Sequence, residues 1–328
     1  MWTLYSSKIF DTGDRYIGDL ARMSYQLEAL FPRKTETTIR FKHIDKTSYK
    51  NQKIDVITIG DSFFNGGGGG LNPFFQDYLA EHSKKNILNI QLFGNSMDIV
   101  NILINSGWLN EIKPHAVVIE STAREVVPRF SYAHDFNKTL TLAEVKGTLF
   151  SDIWNFHKQD VYFINSANYK IPFYSLLYNY KDHAQKSVYK LNLNQEMFSI
   201  PNYKNILIYK DDIQRLHQQN LANLTLVNDN FNKLALKLNK LNIKLFFMPI
   251  VDKYDLYYKY IIDNKYTQNN FFDILEPMDK KYNLVNTKKM LEPLLQKNIK
   301  DIFYSDDTHW SYKASDEVAK KLAKDLFK

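Results

Sequence analysis

Continuous apolar runs alternate with amphipathic segments along most of the chain after residue 54. Four of the runs have the predominantly apolar character of strands buried on both faces: residues 54–59, 87–90, 115–120 and 243–251. Other segments place apolar residues three and four positions apart and predict helices: residues 74–82, 97–106, the stretch that ends near residue 239, and residues 314–326. A short last strand is expected at residues 302–304. Strands that alternate with helices over short connections predict an α/β fold, with a mainly parallel sheet in a three-layer α/β/α domain.

Two stretches depart from this rhythm. Residues 1–50 are weakly periodic, although apolar positions three and four residues apart predict a helix between residues 16 and 30. Residues 131–210 are rich in Tyr, Asn, Lys and Phe and show little periodicity. We therefore expect an N-terminal lead-in segment over residues 1–50 and one α/β domain over residues 51–328, with an aromatic-rich insertion at about residues 131–210.

The composition fits a globular protein and excludes several kinds of site. Hydrophobic residues make up 44% of the 328 residues, enough for a sizeable core. The chain has no cysteine, so it holds no disulfide and no thiolate-ligated metal. No other metal-ligand spacing is present, so neither a metal nor a cofactor is expected.

Charge and hydropathy narrow the range of partners. With 43 Lys and Arg against 36 Asp and Glu, the net charge is +7, spread along the chain without a basic stripe. This favours an anionic surface or polymer over nucleic acid, for which we see no motif. Mean hydropathy is −0.42, and no apolar run is long enough to cross a bilayer. No signal peptide is visible, and the chain begins Met1-Trp2-Thr3-Leu4, so we expect either a cytoplasmic protein or one trimmed of its leader.

The segment Gly60-Asp61-Ser62-Phe63 directly follows the first predicted strand. A sharp strand-to-helix turn there would expose the Ser62 hydroxyl at the carboxyl end of a parallel sheet, where sites in open α/β sheets lie. Gly60 permits the tight turn, and neighbouring backbone N–H groups could hold an oxyanion. Ser62 is therefore a candidate nucleophile; the alternative is that Asp61-Ser62 only caps a helix.

The second segment, Asp306-Asp307-Thr308-His309-Trp310, precedes the last predicted helix. A serine hydroxyl is a poor nucleophile unless a base removes its proton, and His309 is the candidate base. Either Asp307 or Asp306 could hold the imidazole tautomer through Nδ1. The alternative for His309 is a solvated loop histidine.

Further candidates follow the second and third strands. The Gly94 backbone N–H and the Asn95 amide could complete an oxyanion hole, although Gly-Asn also makes an ordinary turn. Arg124 could face the pocket or pair with Glu120 at helical spacing. The glycine run at residues 66–70 lacks the following Lys-Ser/Thr of a phosphate-binding loop, so we interpret it as a flexible loop beside the nucleophile.

These residues resemble a known family. Gly60-Asp61-Ser62-Phe63, Gly94 and a carboxyl-terminal Asp-x-His look like the SGNH/GDSL hydrolase superfamily. The variant Asp307-Thr308-His309-Trp310 resembles the AlgX/AlgJ-like and PatB-like polysaccharide O-acetyltransferases. Two more stretches look like that group: Met248-Pro249-Ile250-Val251-Asp252-Lys253-Tyr254, and Val117-Val118-Ile119-Glu120 with Arg124. The resemblance covers roughly residues 54–130 and 241–328 and implies an SGNH-like, flavodoxin-like domain.

The resemblance also implies roles. Ser62 is then the nucleophile, His309 the base and Asp307 the preferred acid, whereas PatB-like spacing would select Asp306. Trp310 joins the candidates for contact with substrate. Where typical SGNH hydrolases have Gly-x-Asn-Asp, this chain reads Glu120-Ser121-Thr122-Ala123-Arg124, which argues against a simple lipase or esterase.

The implied activity is transfer of an acetyl group onto hydroxyls of a cell-envelope or extracellular polysaccharide, or of peptidoglycan. A membrane-bound acyltransferase partner would supply the acetyl group, so a periplasmic or extracytoplasmic location is implied, with a membrane anchor in the full-length protein. Tyr and Trp side chains of the insertion would supply the sugar platform. Two alternatives stay open: a carbohydrate esterase that deacetylates the same polymers, and a non-catalytic polysaccharide-binding protein.

Overall fold

A central parallel sheet organises the protein in the computed structural model, which describes residues 18–26, 38–90, 95–149, 169–199 and 204–328. Its strands and those of a separate hairpin are β1 Ile44–Asp45, β2 Val56–Ile59, β3 Ile87–Asn89, β4 Ala116–Thr122, β5 Val188–Asn192, β6 Asn205–Tyr209, β7 Lys244–Ile250 and β8 Asn283–Leu284. The six-stranded sheet has the order β1-β3-β2-β4-β7-β8, and every neighbouring pair is parallel. The side chains of β2 and β4 are buried throughout, as expected for strands covered on both faces.

Helices flank the sheet. They are α1 Asp19–Ser24, α2 Phe75–Ser83, α3 Ser96–Asn105, α4 Trp108–Ile112, α5 Ala123–Phe130, α6 Leu142–Leu149, α7 Lys170–Leu177, α8 Lys210–Gln214, α9 Leu221–Asn239, α10 Lys253–Tyr257, α11 Phe271–Leu275, α12 Thr287–Gln296 and α13 Tyr312–Leu326, with 3₁₀ turns at Lys46–Ser48, Leu216–Gln218 and Tyr258–Tyr260. Two groups of helices pack together: α2, α12 and α13 form one group, and α3, α5, α9 and α11 form the other. The α/β fold with a mainly parallel sheet between helices is confirmed. Among the described residues, no helix combines the length and the apolar character needed to span a bilayer.

The strand order places a crevice beside β2. Without the two-residue edge strand β1, the sheet runs β3-β2-β4-β7-β8, which is the flavodoxin-like order 2-1-3-4-5. The direction of winding reverses between β2 and β4, and ligands bind outside the carboxyl ends of the strands at such a switch point. The loop that contains Ser62 leaves β2 at this position.

The predicted strands agree with β2, β3, β4 and β7 to within two residues, and the helix that ends near residue 239 is α9. The strand expected at residues 302–304 is wrong: Phe303 makes only an isolated bridge to Trp310. The fifth parallel strand is instead β8, two residues long. So short a strand, one of whose residues is the polar Asn283, leaves no apolar run in the sequence.

The described part of residues 131–210 contains α6, α7 and the antiparallel hairpin β5–β6. Apolar residues of the hairpin belong to the same hydrophobic cluster as the central sheet: Tyr189, Leu191, Ile206 and Ile208. On its other face, Val188 and Leu207 pack against Leu20 and Ala21 of α1. The hairpin therefore lies between the main core and the N-terminal helix.

The helix expected between residues 16 and 30 is present as α1, at residues 19–24. The remainder of that expected helix lies outside the described residues, apart from residues 18, 25 and 26.

Candidate active site

The turn after β2 is built around Asp61 and Glu120. The Asp61 N–H donates to Glu120 Oε2 at 2.8 Å, and the Phe63 N–H donates to Asp61 Oδ1 at 3.2 Å. A Cβ atom at Gly60 would lie 2.2 Å from Glu120 Oε2, so only glycine fits beneath this carboxyl group. The turn leaves Ser62 partly exposed, with the carboxyl end of β4 beside it.

Ser62, His309 and Asp307 form one hydrogen-bonded chain. His309 Nε2 lies 2.7 Å from Ser62 Oγ, and His309 Nδ1 lies 2.6 Å from Asp307 Oδ1. The same Asp307 oxygen accepts the His309 backbone N–H at 2.9 Å, so both the backbone and the side chain of His309 hold this carboxylate. These distances match a nucleophile, a base and an orienting carboxylate in hydrogen-bond contact.

Asp306 does not take part in this chain. Its Oδ2 accepts the Gly18 N–H at 2.7 Å, and its carbonyl oxygen accepts the Ala21 N–H at 3.0 Å. Of the two predicted acids, the structure places Asp307 against the imidazole and Asp306 against the N-terminal segment.

The charges around His309 favour its protonated form. Burial by itself would lower the pKa of His309, but the charge and hydrogen bond of Asp307, followed by the charges of Asp19 and Asp61, raise it above its ordinary value. A raised pKa strengthens the imidazole as a base towards the Ser62 hydroxyl.

The glycine run lies beside the nucleophile, as predicted. The Gly67 N–H donates to the Ser62 carbonyl oxygen at 2.8 Å. A Cβ atom at Gly67 would lie 2.3 Å from His309 Nε2, and one at Gly68 would lie 3.1 Å from His309 Cβ. The loop therefore covers the imidazole so closely that side chains are excluded, and His309 is only 7% exposed.

The predicted oxyanion donors have different fates. Gly94 lies outside the described residues. The Asn95 side chain caps α3 by accepting from the Met97 and Asp98 N–H groups, and its two N–H bonds go to the Arg129 carbonyl and the Tyr132 hydroxyl. The prediction that the Asn95 amide is an oxyanion donor is thus not supported, because a helix cap and a loop contact already use it.

One backbone donor stays available at the nucleophile. Among the described residues, the Ser62 N–H has no hydrogen-bond acceptor. Because it lies on the same residue as the candidate nucleophilic oxygen, this N–H could donate to an oxyanion formed there.

Arg124 and Trp310 are packing residues. Arg124 NH1 pairs with Asp212 at 3.0 Å and with Asp252 at 3.2 Å, so the guanidinium is held by these two carboxylates and not by Glu120. Trp310 is 4% exposed and meets the Phe63 ring edge-on at 5.3 Å between centroids. It fills the wall behind the Ser62 turn, so the prediction that Trp310 contacts substrate is not supported.

Lys253 is a site residue whose role was not predicted. Its ammonium group donates to the carbonyl oxygens of Tyr304, Ser305 and Asp307 at 2.8, 2.8 and 3.1 Å. Burial lowers its pKa to about 8, against the opposing charges of Asp306 and Asp307. The lysine therefore fixes the backbone of the segment that contains Asp307. In the sequence it was noted only as part of the stretch at residues 248–254, without a role of its own.

The carboxyl groups of Glu120 and Asp61 lie together beneath Ser62. Burial, followed by the Asp61 charge, raises the pKa of Glu120 well above its ordinary value, which favours its neutral form. Burial alone would raise the pKa of Asp61, but Arg129, 2.7 Å away, lowers it. The two opposite directions favour a negative charge on Asp61, against the Arg129 guanidinium, over one on Glu120.

A metal site is the other chemistry that these side chains could offer. Within the described ranges, Asp19, Asp307 and His309 form the one group of acidic and histidine side chains with potential ligand atoms within 4.8 Å of one another. The Asp19 oxygens already accept two donors from Thr308, and His309 Nδ1 already contacts Asp307. The donor set fits a hydrogen-bonded triad better than a metal centre.

No protein-family model and no curated protein matches this chain.

Proposed function

We propose that this protein is a serine acyltransferase of the SGNH type, which moves an acetyl group through Ser62 onto a hydroxyl of a cell-envelope or extracellular polysaccharide. The observation that supports it most strongly is the continuous chain from Ser62 Oγ through His309 to Asp307, with contacts of 2.7 and 2.6 Å. These three hydrogen-bonded side chains lie at the switch point of the sheet, where such a fold binds ligands.

The first half-reaction would acetylate the enzyme. His309 Nε2 takes the proton of Ser62 while Oγ attacks the carbonyl carbon of the acetyl donor. The Ser62 N–H stabilises the negative charge on the carbonyl oxygen. When the tetrahedral intermediate collapses, the bond to the donor's oxygen breaks and that leaving group receives the proton from His309.

The second half-reaction would regenerate Ser62. His309 takes the proton of a sugar hydroxyl, whose oxygen attacks the acetyl carbon. The bond between that carbon and Ser62 Oγ then breaks, and Oγ recovers a proton from His309. The product is an O-acetyl sugar, and no other co-reactant is consumed.

Transfer to a sugar rather than to water requires a protected acyl-enzyme. The close cover of residues 66–70 over a 7%-exposed imidazole supports this proposal, because water has little access to the base from that side. We further propose, from the sequence resemblance, an extracytoplasmic location and a membrane-bound acyltransferase as the acetyl donor.

The test is intact-mass analysis after exposure to an activated acetyl ester, with Ser62→Ala and Ser83→Ala compared with the wild type. Ser83 is the matched control, because its hydroxyl donates to the Leu79 carbonyl at 2.7 Å within α2. We expect one acetyl adduct in the wild type and in Ser83→Ala, and none in Ser62→Ala. Acylation should fall by about 10³-fold or more without Ser62.

The same samples, assayed for acetate release with and without oligosaccharides, distinguish the alternatives. An adduct that one oligosaccharide clears faster than water does would support the transferase. If water alone clears the adduct equally well, the carbohydrate esterase replaces the transferase as the assigned function. An adduct that forms equally in Ser62→Ala would refute the assignment of the nucleophile.

A further inference from the structure

The N-terminus of α1 lies directly against the segment that contains the catalytic acid. The Gly18 N–H donates to Asp306 Oδ2 at 2.7 Å, and the Asp19 N–H donates to Asp307 Oδ2 at 3.2 Å. The backbones approach so closely that a Cβ atom at Gly18 would lie 2.0 Å from the Asp306 carbonyl oxygen. About 290 residues of chain separate the two segments, so this contact is made by the tertiary fold.

Asp19 adds a second carboxylate to the site. Asp19 Oδ1 accepts the Thr308 N–H at 2.7 Å, and Asp19 Oδ2 accepts the Thr308 hydroxyl at 2.5 Å. Asp19 Oδ2 also lies 3.8 Å from His309 Nδ1, and Thr308 Oγ1 lies 3.3 Å from the same nitrogen. The residue between the acid and the base is therefore held on both its backbone and its side chain.

The two Asp307 oxygens have separate partners. Oδ1 contacts His309 Nδ1, and Oδ2 receives the Asp19 N–H. A carboxylate fixed at both oxygens cannot rotate away from the imidazole without breaking one of these bonds. The orientation of the acid thus depends on where Asp19 is.

We propose that Asp19 is a positioning residue of the active site, which aligns Thr308 and Asp307 so that the imidazole of His309 faces Ser62. The proposal rests on the proposed function for its kinetic consequence, but its effect on His309 can be measured without any substrate. Helix α1 is in turn held by Leu20 and Ala21 against the hairpin β5–β6, so the insertion supports the same alignment.

The charges around the imidazole set the sign of the effect. The charged groups that face His309 are Asp307, Asp19 and Asp61, and all three raise its pKa. Lys253 holds the Asp307 carbonyl on the other side of the segment. Removing the Asp19 charge should therefore lower the pKa of His309, while the Asp307 and Asp61 charges remain.

The experiment compares Asp19→Ala and Asp19→Asn with the wild type, and uses Asp45→Ala as the control. Asp45 accepts the same two kinds of donor, the Thr47 N–H and hydroxyl at 2.9 Å each, but through Oδ1 alone and within its own segment at the edge strand β1. Asparagine at position 19 keeps a hydrogen-bonding partner for Thr308 without the charge. The readouts are the NMR titration of the His309 ring, circular dichroism for the fold, and kcat and KM with an activated acetyl ester.

We expect Asp19→Ala to titrate His309 at lower pH and to lower kcat by about 10- to 100-fold, with KM within about twofold. Asp19→Asn should show the same direction of titration shift but recover part of kcat, and Asp45→Ala should match the wild type. A folded Asp19→Ala with unchanged His309 titration and unchanged kcat would overturn the proposal. If Asp19→Ala does not fold, Asp19→Asn decides it by the same titration.

The two proposals fail separately. A wild type that shows no acylation at Ser62 would refute the proposed function, and the His309 titration would still show whether the Asp19 carboxylate acts on the imidazole. Equal losses of kcat in Asp19→Ala and Asp45→Ala would reduce the Asp19 effect to general destabilisation and overturn the positioning role.

Discussion

Asp306 and Asp307 are neighbours in the chain, but their carboxylates have different partners. Asp307 contacts the His309 imidazole at 2.6 Å, whereas Asp306 receives the Gly18 N–H at 2.7 Å. An asparagine at position 306 can still accept that N–H through its amide oxygen. An asparagine at position 307 cannot supply the charge that favours the imidazolium formed during catalysis.

We therefore predict that Asp307→Asn lowers the rate of Ser62 acetylation by about 10²- to 10⁴-fold, whereas Asp306→Asn lowers it by about threefold or less. The base must be neutral to act, so activity should rise with pH through the pKa of His309. Because Asp307 raises that pKa, its removal should move this limb to lower pH in the residual activity. The measurement is the pH dependence of kcat/KM; an Asp306→Asn loss larger than the Asp307→Asn loss would make Asp306 the acid.

At the residue scale the sequence picked out Ser62 and His309, which the structure places in contact, but could not choose between the two candidate acids. Ser62 and His309 follow from a strand-turn signal and a position before the last helix. The choice between Asp306 and Asp307 depends on a contact with Gly18, which no local pattern reveals. Asn95 was predicted to be an oxyanion donor but caps α3 instead. Helix caps and active-site amides use the same residue type, so the sequence does not separate the two roles.

In the loop of residues 66–70, a glycine is required by neighbouring atoms rather than by the backbone conformation of the loop. Gly67 is not at a positive φ, yet a Cβ atom there would lie 2.3 Å from His309 Nε2 and 2.9 Å from the Ser62 carbonyl oxygen. Either the loop or the imidazole must move to accept a side chain.

Gly67→Ala should therefore lower acetylation of Ser62 by about 10²-fold or more, since a displacement of about 1 Å at a reacting group has that effect. The control is Gly147→Ala in α6, where an added Cβ atom meets nothing within 4 Å. That control should keep full activity and gain about 0.5–1 kcal/mol of helix stability. Acetylation rates and thermal unfolding measure both variants; a Gly67→Ala rate within threefold of the wild type would show that the loop yields without disturbing the base.

At the element scale, a strand or helix could be predicted from the sequence when its apolar pattern was long enough. The strands β2, β3, β4 and β7 and the helices α9 and α13 have several buried positions each, and their apolar residues indicate them. β8 has two residues, and the hairpin β5–β6 lies in a stretch where aromatic and polar residues mix, so neither leaves a clear period.

At the scale of the whole molecule, the order of strands explains why two distant segments meet. Parallel strands bring their carboxyl ends to one edge, so a turn after β2 and a loop before α13 could be expected to face each other. The role of Asp19 could not be expected, because it depends on how the lead-in segment packs against the Asp306–Thr308 turn.

The net charge of +7 is also a property of the whole chain, and it makes a prediction about the acceptor. A positive protein attracts an anionic polymer over a range set by the Debye length, about 10 Å at 0.1 M salt and about 3 Å at 1 M. An acidic oligosaccharide should thus clear the acetyl-Ser62 adduct with a KM that rises severalfold between about 0.02 M and 0.5 M salt. A neutral oligosaccharide of equal length should show little change.

The first half-reaction supplies the control for this comparison. Acetylation of Ser62 by a small uncharged ester involves no charge attraction, so its rate should be insensitive to salt over the same range. If that rate falls as well, salt acts on the triad and not on the acceptor. If the acidic and neutral acceptors respond alike while acetylation stays constant, the positive charge does not guide the polymer, and acceptor choice must come from contacts close to Ser62.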